Sequence, residues 1–149
     1  MNYLEEFDKL KTKVLKYILF KKRTESEIRQ KFISDEGEML NDVIDELKQN
    51  GYIDDERYIE KAIKEYINLK NLSIKELEYK LISKGIKRTL IENYIYNNKE
   101  NLLEYEIKSA INIINKKRNS HEIEEILNLL RKKRYMEDSL KIAMQEIEE

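Results

Sequence analysis

The chain contains no cysteine, no proline and no tryptophan, and only three glycines and one histidine among its 149 residues. Without cysteine, disulfide scaffolds and thiolate metal sites are excluded, and the absence is typical of a protein from a reducing cytoplasm. Proline and glycine normally make up about 5% and 7% of residues, and a β-rich fold needs many tight turns built from them. The scarcity of both therefore predicts an all-α fold of long helices joined by short polar links.

The sequence also lacks a long apolar run and an excess of charge of one sign. Its longest stretch without a charged residue is Ser109–Asn115, far short of the roughly 20 apolar residues of a membrane span. The N-terminus has neither the basic nor the apolar region of a signal peptide. The 29 basic and 30 acidic side chains give a formal net charge of −1, whereas a protein that mainly binds phosphates has a clear basic excess. We therefore expect a cytoplasmic protein without a membrane segment, for which nucleic acid is not the only partner.

A repeat is present in the apolar pattern at a spacing of 48 or 49 residues. Three sets of helix-spaced apolar residues correspond to one another: Leu10, Val14, Tyr17 and Ile18, then Ile59, Ile63, Tyr66 and Ile67, then Ile107, Ile111 and Ile114. The pattern predicts one helical-repeat array over 1–149, with units at about 1–53, 54–100 and 101–149. Each unit would contain three amphipathic helices. Because such units are too thin to bury their apolar faces alone, we expect three tandem three-helix repeats, stacked over one continuous core into an elongated, curved array.

Residues that begin and end helices stand at matching places in the units. The predicted helices are about Leu4–Lys22, Glu25–Ser34, Glu38–Asn50, Asp55–Asn71, Ile74–Lys84, Lys87–Asn98, Asn101–Arg118, Glu122–Lys133 and Glu137–Glu148. Thr24 and Ser73 each precede a Glu by three residues, which is the pattern of a capping box. Gly51 and Gly85 are typical helix ends. Arg134 replaces Gly85 in the third unit, so we expect a less sharply turned link there.

Three segments resemble the RecX family in order and spacing. They are residues 47–58 (LKQNGYIDDERY), residues 23–32 (RTESEIRQKF) and residues 76–86 (ELEYKLISKGI). The first is similar to the family's helix end with Gly and an apolar residue, followed by Asp-Asp, a basic residue and an aromatic one. Residues 132–135 (KKRY) stand where the family usually has a basic-Gly-aromatic ending.

This resemblance implies a non-enzymatic, all-helical regulator of the RecA recombinase. Members of the family bind along the groove or at the growing end of the RecA–single-stranded DNA filament and restrain strand exchange, ATP hydrolysis and coprotease activity. The implied partner is the RecA filament, with weak direct DNA binding as an additional expectation and no small-molecule substrate. Two alternatives stay open. One is a helix-turn-helix-like DNA-binding protein, against which the third helix counts because Lys48 is its only basic residue; the other is a helical-repeat adaptor for another protein.

Candidate partner-binding or DNA-binding residues form three basic clusters. They are Lys21, Lys22 and Arg23; Lys116, Lys117 and Arg118; and Arg131, Lys132, Lys133 and Arg134. These cations could contact DNA phosphates or an acidic protein surface, or could only stabilise the helix C-termini at which they stand. Tyr96 and Tyr135, with Tyr3 and Tyr105, are further candidates for partner contact.

The sequence indicates no catalytic, cofactor-binding or metal-binding residues. Asp54 and Asp55 are placed to stabilise the start of a helix, and His121 has no second ligand at a suitable spacing. No Gly-rich phosphate loop, nucleophile elbow or HExxH motif is present. An enzyme would need a pocket of convergent polar groups that the sequence does not indicate.

Overall fold

The computed structural model describes residues 2–148. Within them the chain forms nine α-helices, one short 3-10 helix and no strand, so the predicted all-α fold is confirmed. The α-helices are α1 Tyr3–Phe20, α2 Glu25–Lys31, α3 Glu38–Gln49, α4 Asp55–Leu69, α5 Ile74–Ser83, α6 Arg88–Asn97, α7 Lys99–Lys117, α8 Ile123–Lys132 and α9 Glu137–Glu148. We call α1–α3 unit 1, α4–α6 unit 2 and α7–α9 unit 3. Residues 1 and 149, the ends of the predicted array, lie outside the described residues.

The predicted capping boxes fix the starts of α2 and α5. The Thr24 hydroxyl accepts a hydrogen bond from the Glu27 amide at 3.1 Å, and the Glu27 carboxylate accepts one from the Thr24 amide at 3.0 Å. Ser73 and Glu76 make the same pair of bonds, at 3.1 and 2.9 Å. In unit 3 the equivalent N-cap residue is Glu122, whose side chain makes no capping bond. The second helix of unit 3 therefore begins without the device that the other two units share.

The second helices of units 2 and 3 end in the same turn, although the residues differ. Gly85 has φ +80° and Arg134 has φ +70°. The Gly85 amide donates to the Ile82 carbonyl at 2.9 Å, and the Arg134 amide donates to the Arg131 carbonyl at 3.0 Å. The expectation of a less sharply turned link in unit 3 is therefore wrong. The backbone of the turn is retained, and a left-handed arginine occupies it.

The buried apolar side chains form three clusters, one for each unit, rather than the expected continuous core. The first extends from Leu10 to Ile53, the second from Ile59 to Tyr105 and the third from Ala110 to Ala143. Among the described residues, only the second cluster takes members from a neighbouring unit, Leu102 and Tyr105 of α7. Polar bonds join the clusters, because the faces where units meet carry helix ends whose free amides and carbonyls need partners.

The same set of contacts between neighbouring units, which we call a joint, occurs twice, displaced by 49 residues. The Thr24 hydroxyl of unit 1 donates to the Lys84 carbonyl of unit 2 at 2.8 Å, and the Ser73 hydroxyl of unit 2 donates to the Lys133 carbonyl of unit 3 at 2.6 Å. Each joint also has an ion pair, in which Lys84 lies 3.9 Å from Glu27 and Lys133 lies 3.4 Å from Glu76. Both hydroxyls are fully buried. The 49-residue spacing of the sequence therefore recurs in these tertiary contacts.

A carboxylate from the following unit completes each joint, but the second joint is more extensively bonded. Asp55 accepts a hydrogen bond from the Glu25 amide at 3.0 Å in the first joint. Glu106 is fully buried in the second joint and accepts from the Ile74 amide at 2.7 Å and from the Met136 amide at 2.9 Å. Glu106 thereby ties α7 to the starts of both α5 and α9.

The array exposes a large surface for its mass. An 18.1 kDa compact protein is expected to have an accessible surface of about 8,100 Å², whereas this chain has 9987 Å². Among residues 2–148, no hydrogen bond or ion pair joins unit 1 to unit 3, since those between units run from unit 1 to unit 2 and from unit 2 to unit 3. The large accessible surface and the lack of bonds between units 1 and 3 are typical of an elongated array.

Candidate partner-binding surfaces

The first basic cluster is divided between surface and interior. Lys21 and Lys22 follow α1 and are exposed, and neither forms an ion pair within residues 2–148. The Arg23 guanidinium lies over the Tyr17 ring, 4.3 Å from its centroid, and its Nε atom is buried without a hydrogen-bond partner. The interaction of a cation with an aromatic face stabilises this packing. Arg23 therefore contributes to the packing of the fold, and its contact with a partner stays a prediction.

The end of α1 carries a feature that the sequence analysis missed. Phe20 is 86% exposed and Leu19 71% exposed, which is unusual for large apolar side chains beside two lysines. Lys21 and Lys22 line a cavity of about 210 Å³ together with α4 residues that include Lys61. Three lysines from two units thus surround one recess. Helix periodicity could have identified Phe20, because it lies off the apolar face that Val14 and Ile18 define.

The second basic cluster lies at the end of α7. Lys116 and Arg118 are exposed and Lys117 is half-buried. Arg118 donates to the Asn115 side chain at 3.1 Å, and none of the three cations has an ion pair among the described residues. The position at a helix C-terminus stabilises them, and their charges stay available to a partner.

The third basic cluster contains two kinds of residue. Arg131 donates to Glu137 at 2.6 Å, and this hydrogen bond raises the pKa of the Arg131 guanidinium. Lys133 is half-buried and belongs to the second joint through both its carbonyl and its ion pair with Glu76. Lys132 and Arg134 are exposed and make no ion pair in the part of the chain that the structure describes. In the third cluster, Arg131 and Lys133 therefore bond within the fold, whereas the charges of Lys132 and Arg134 are unpaired among the described residues.

The candidate tyrosines separate into exposed and buried ones. Tyr96 is 70% exposed, with the Lys99 ammonium 5.0 Å from its ring centroid, and Tyr3 is 50% exposed and donates to Asp42 at 2.8 Å. Tyr135 is only 4% exposed, its hydroxyl shares a 2.7 Å hydrogen bond with Ser109, and burial raises its pKa. Tyr105 is also 4% exposed. The prediction of partner contact is wrong for Tyr105 and Tyr135, because both fill the core.

Two shallow cavities lie between α2, α4 and α6. One of about 630 Å³ and one of about 590 Å³ share Glu56 and Leu90 in their walls. The first contains an asparagine cluster and the second contains the acidic start of α4. Several charged groups in the wall of the second cavity are bonded within the fold: Asp54 accepts from the Arg57 amide at 3.1 Å, and Glu25 pairs with Lys48 and Arg29.

The described residues offer neither a metal-binding group nor a membrane-spanning helix. Residues 2–148 contain no group of three histidine or carboxylate side chains that could hold a metal ion. His121 is exposed and its Nδ1 lies 2.8 Å from the Ser120 hydroxyl. No helix within those residues is long and apolar enough to cross a bilayer. The third helix of unit 1 has Lys48 paired with Glu25, so it offers no free cation to a DNA groove.

The sequence has relatives that carry one name. No family model matches it. The chain is 34% identical over 97 residues to the "Regulatory protein RecX" of Lactococcus lactis subsp. lactis. This alignment covers 62% of this chain and 36% of that protein. The chain is 32% identical over 117 residues to the "Regulatory protein RecX" of Finegoldia magna. This alignment covers 74% of this chain and 57% of that protein. The chain thus spans between about a third and a little over half of the length of these relatives.

Two solved structures share the whole architecture. The crystal structure of RecX from Lactobacillus salivarius aligns with a TM-score of 0.82 at 18% identity, covering 97% of this chain and 98% of that chain. A second crystal structure, of a regulatory protein RecX, aligns with a TM-score of 0.78 at 18% identity, covering 96% and 73% of the two chains. The structures establish the common fold and the sequence relatives carry the name. The chain belongs to the RecX family of regulatory proteins.

Proposed function

We propose that this protein is a non-enzymatic regulator that binds the RecA–single-stranded DNA filament in the cytoplasm and inhibits recombinase activity. The observation that carries the proposal is the joint repeated at a 49-residue displacement, which builds an array in a chain whose relatives are regulatory proteins named RecX. A filament repeats one subunit along its axis. An array of similar units can make similar contacts with successive subunits, so the total affinity exceeds that of any single contact.

The charge of the surface supports a filament as partner rather than bare DNA. A net charge of −1 does not favour a protein that coats phosphates, whose affinity depends on the release of many counterions. A protein partner is recognised by mixed polar and apolar patches, which the exposed tyrosines and the exposed apolar residues at the end of α1 provide. Lodged across adjacent subunits, the array would hinder filament extension and the subunit motions that accompany ATP hydrolysis.

Weak direct contact with DNA is assigned to the end of α1. Lys21, Lys22 and Lys61 surround one recess, and the exposed ring of Phe20 offers a face on which a base can stack. Three phosphate contacts are few compared with those of dedicated DNA-binding proteins. Such a contact would orient the chain on a filament but would not bind DNA tightly by itself.

ATP hydrolysis by RecA on single-stranded DNA tests the proposal. We expect the rate to fall as this protein is added, and to reach a plateau once the filament is saturated. Doubling the single-stranded DNA at constant RecA is the control, because inhibition through coating of free DNA would be relieved by it and inhibition through the filament would not. An unchanged rate at several-fold excess over intact filaments would refute the proposed function.

A further inference from the structure

The turn between α8 and α9 has the backbone of the turn between α5 and α6. Gly85 and Arg134 both lie in the left-handed region, at φ +80° and +70°. The residues that follow them, Ile86 and Tyr135, are each only 4% exposed and belong to the cores of their units. The packing of the core therefore fixes this conformation in both units, whichever residue stands in the turn.

The left-handed conformation disfavours a residue with a side chain, because Cβ approaches the following carbonyl oxygen. At Gly85 the fold also requires the absence of a side chain, since a Cβ would lie 2.1 Å from the Ser26 hydroxyl oxygen of unit 1. The residue equivalent to Ser26 in unit 2 is Lys75, which turns toward Glu78 at 3.2 Å. Space therefore permits a side chain at position 134, but the fold gains nothing from one.

The guanidinium of Arg134 has no partner within the described residues. It forms no ion pair, side-chain hydrogen bond or ring contact there, and Arg134 is exposed. Near it along the chain are Lys132, also exposed and unpaired, and two apolar residues, Leu129 at 37% and Met136 at 43% exposure. We call these four residues the unit-3 corner.

The matching corner of unit 2 has a different character. Its residues, displaced by 49 positions, are Lys80, Ser83, Gly85 and Lys87, with no apolar side chain among them. Unit 3 therefore departs from its own repeat by an arginine in the turn and by exposed apolar residues in the last turns of α8 and after the turn, Leu129 and Met136. Conformational strain retained at an exposed position is typical of sites that bind.

We propose that the unit-3 corner is a contact for an acidic surface of a protein partner, with Arg134 as its central residue. The assignment rests on the proposed function, which makes that partner the RecA protein of the filament. The planar guanidinium binds a carboxylate through two parallel hydrogen bonds, and arginine and methionine are enriched in protein interfaces while lysine is depleted. A protein carboxylate is favoured over a DNA phosphate because half of this corner is apolar and the chain as a whole has no basic excess.

The test uses the variant Arg134→Gly, which relieves the strain and removes the guanidinium together. We expect its melting temperature to stay level or rise by a few degrees, and its affinity for preassembled RecA–single-stranded DNA filaments to fall about tenfold. Arg134→Lys keeps the positive charge but lacks the planar guanidinium that makes two parallel hydrogen bonds. Its affinity for the filament should therefore fall by a smaller factor than that of Arg134→Gly.

Lys70→Gly is the matched control. Among residues 2–148, Lys70 and Arg134 are the two non-glycine residues with positive φ; Lys70, at +49°, is exposed and lies outside the corner. We expect the same thermal response from this variant and no loss of affinity for the filament.

Each outcome decides one question. If the unaltered protein does not bind filaments, the proposed function and this assignment both fail. If it binds and Arg134→Gly binds equally well, the assignment alone fails. If Arg134→Gly loses affinity to the same extent for single-stranded DNA without RecA, the contact is with phosphate and the acidic protein surface is refuted.

Discussion

Replacing Gly85 by alanine should damage the joint between units 1 and 2 far more than a glycine replacement elsewhere. At φ +80° any side chain costs about 1–2 kcal/mol. The new Cβ would also lie 2.3 Å from the Cβ of Ser26, whereas carbon atoms in contact stay about 3.5–4.0 Å apart. Because a Cβ cannot rotate away from its own backbone, the two units must separate by more than about 1 Å.

That separation breaks the bond between the Thr24 hydroxyl and the Lys84 carbonyl, which are 2.8 Å apart next to the substituted residue. Loss of a buried hydrogen bond with a polar group left unpaired costs about 1–3 kcal/mol. The free energy of unfolding of Gly85→Ala should therefore fall by about 2–5 kcal/mol in total. Urea titration followed by far-UV circular dichroism measures this difference.

Gly51 provides the control for the backbone contribution. It also has φ +80°, but a Cβ there would meet no atom within 4 Å. Gly51→Ala should lose only the conformational part, about 1–2 kcal/mol, and Ser26→Gly should restore most of the additional loss in the Gly85→Ala background. Equal losses for Gly85→Ala and Gly51→Ala would show that the close approach of the units contributes nothing.

Two further predictions concern the carboxylates of the joints. Glu106→Gln leaves one acceptor oxygen for two buried amides, so the free energy of unfolding should fall by about 2–3 kcal/mol. The control variant Glu104→Gln, at an exposed ion pair, should change the free energy of unfolding by less than about 1 kcal/mol. Similar losses for both variants would contradict the role of Glu106. Burial raises the pKa of Asp55, although the hydrogen bond from the Glu25 amide and the charge of Lys48 oppose the rise. Because the folded-state pKa lies above the unfolded one, ionised Asp55 lowers stability once the pH exceeds the unfolded value of 3.8. The stability of Asp55→Asn relative to the unaltered protein should therefore increase as the pH rises from below 3.8 through the folded-state pKa, and a pH-independent difference in urea titrations would contradict this.

Local signals in the sequence were sufficient for the helices but not for their packing. The capping boxes of Thr24 and Ser73 act within four residues, so the starts of α2 and α5 could be predicted from spacing alone. The 49-residue period likewise gave the three units, since periodic apolar faces identify each helix. The structure contains both capping boxes as expected.

Features that depend on distant residues could not be predicted. Tyr96 and Tyr135 look alike as tyrosines near basic residues, yet Tyr135 is buried because it follows the turn that directs the chain into the core of unit 3. Glu106 would be assigned to the surface from its charge, and its two amide partners come from positions 30 and 32 residues away. Gly85 was predicted to end a helix, but its second role against Ser26 depends on the docking of another unit.

The joint between units has a direction, and this direction determines whether stacking can continue. Each joint pairs a hydroxyl donor on one unit with a carbonyl acceptor on the next, which makes it a head-to-tail interface. When every subunit offers both halves, interfaces of this kind produce rings if the rotation between subunits closes and open polymers if it does not. Glu122 stands where Thr24 and Ser73 supply the donor, and a carboxylate has no proton to donate to a carbonyl. The third unit therefore offers no hydroxyl donor at the position that forms the joint in units 1 and 2.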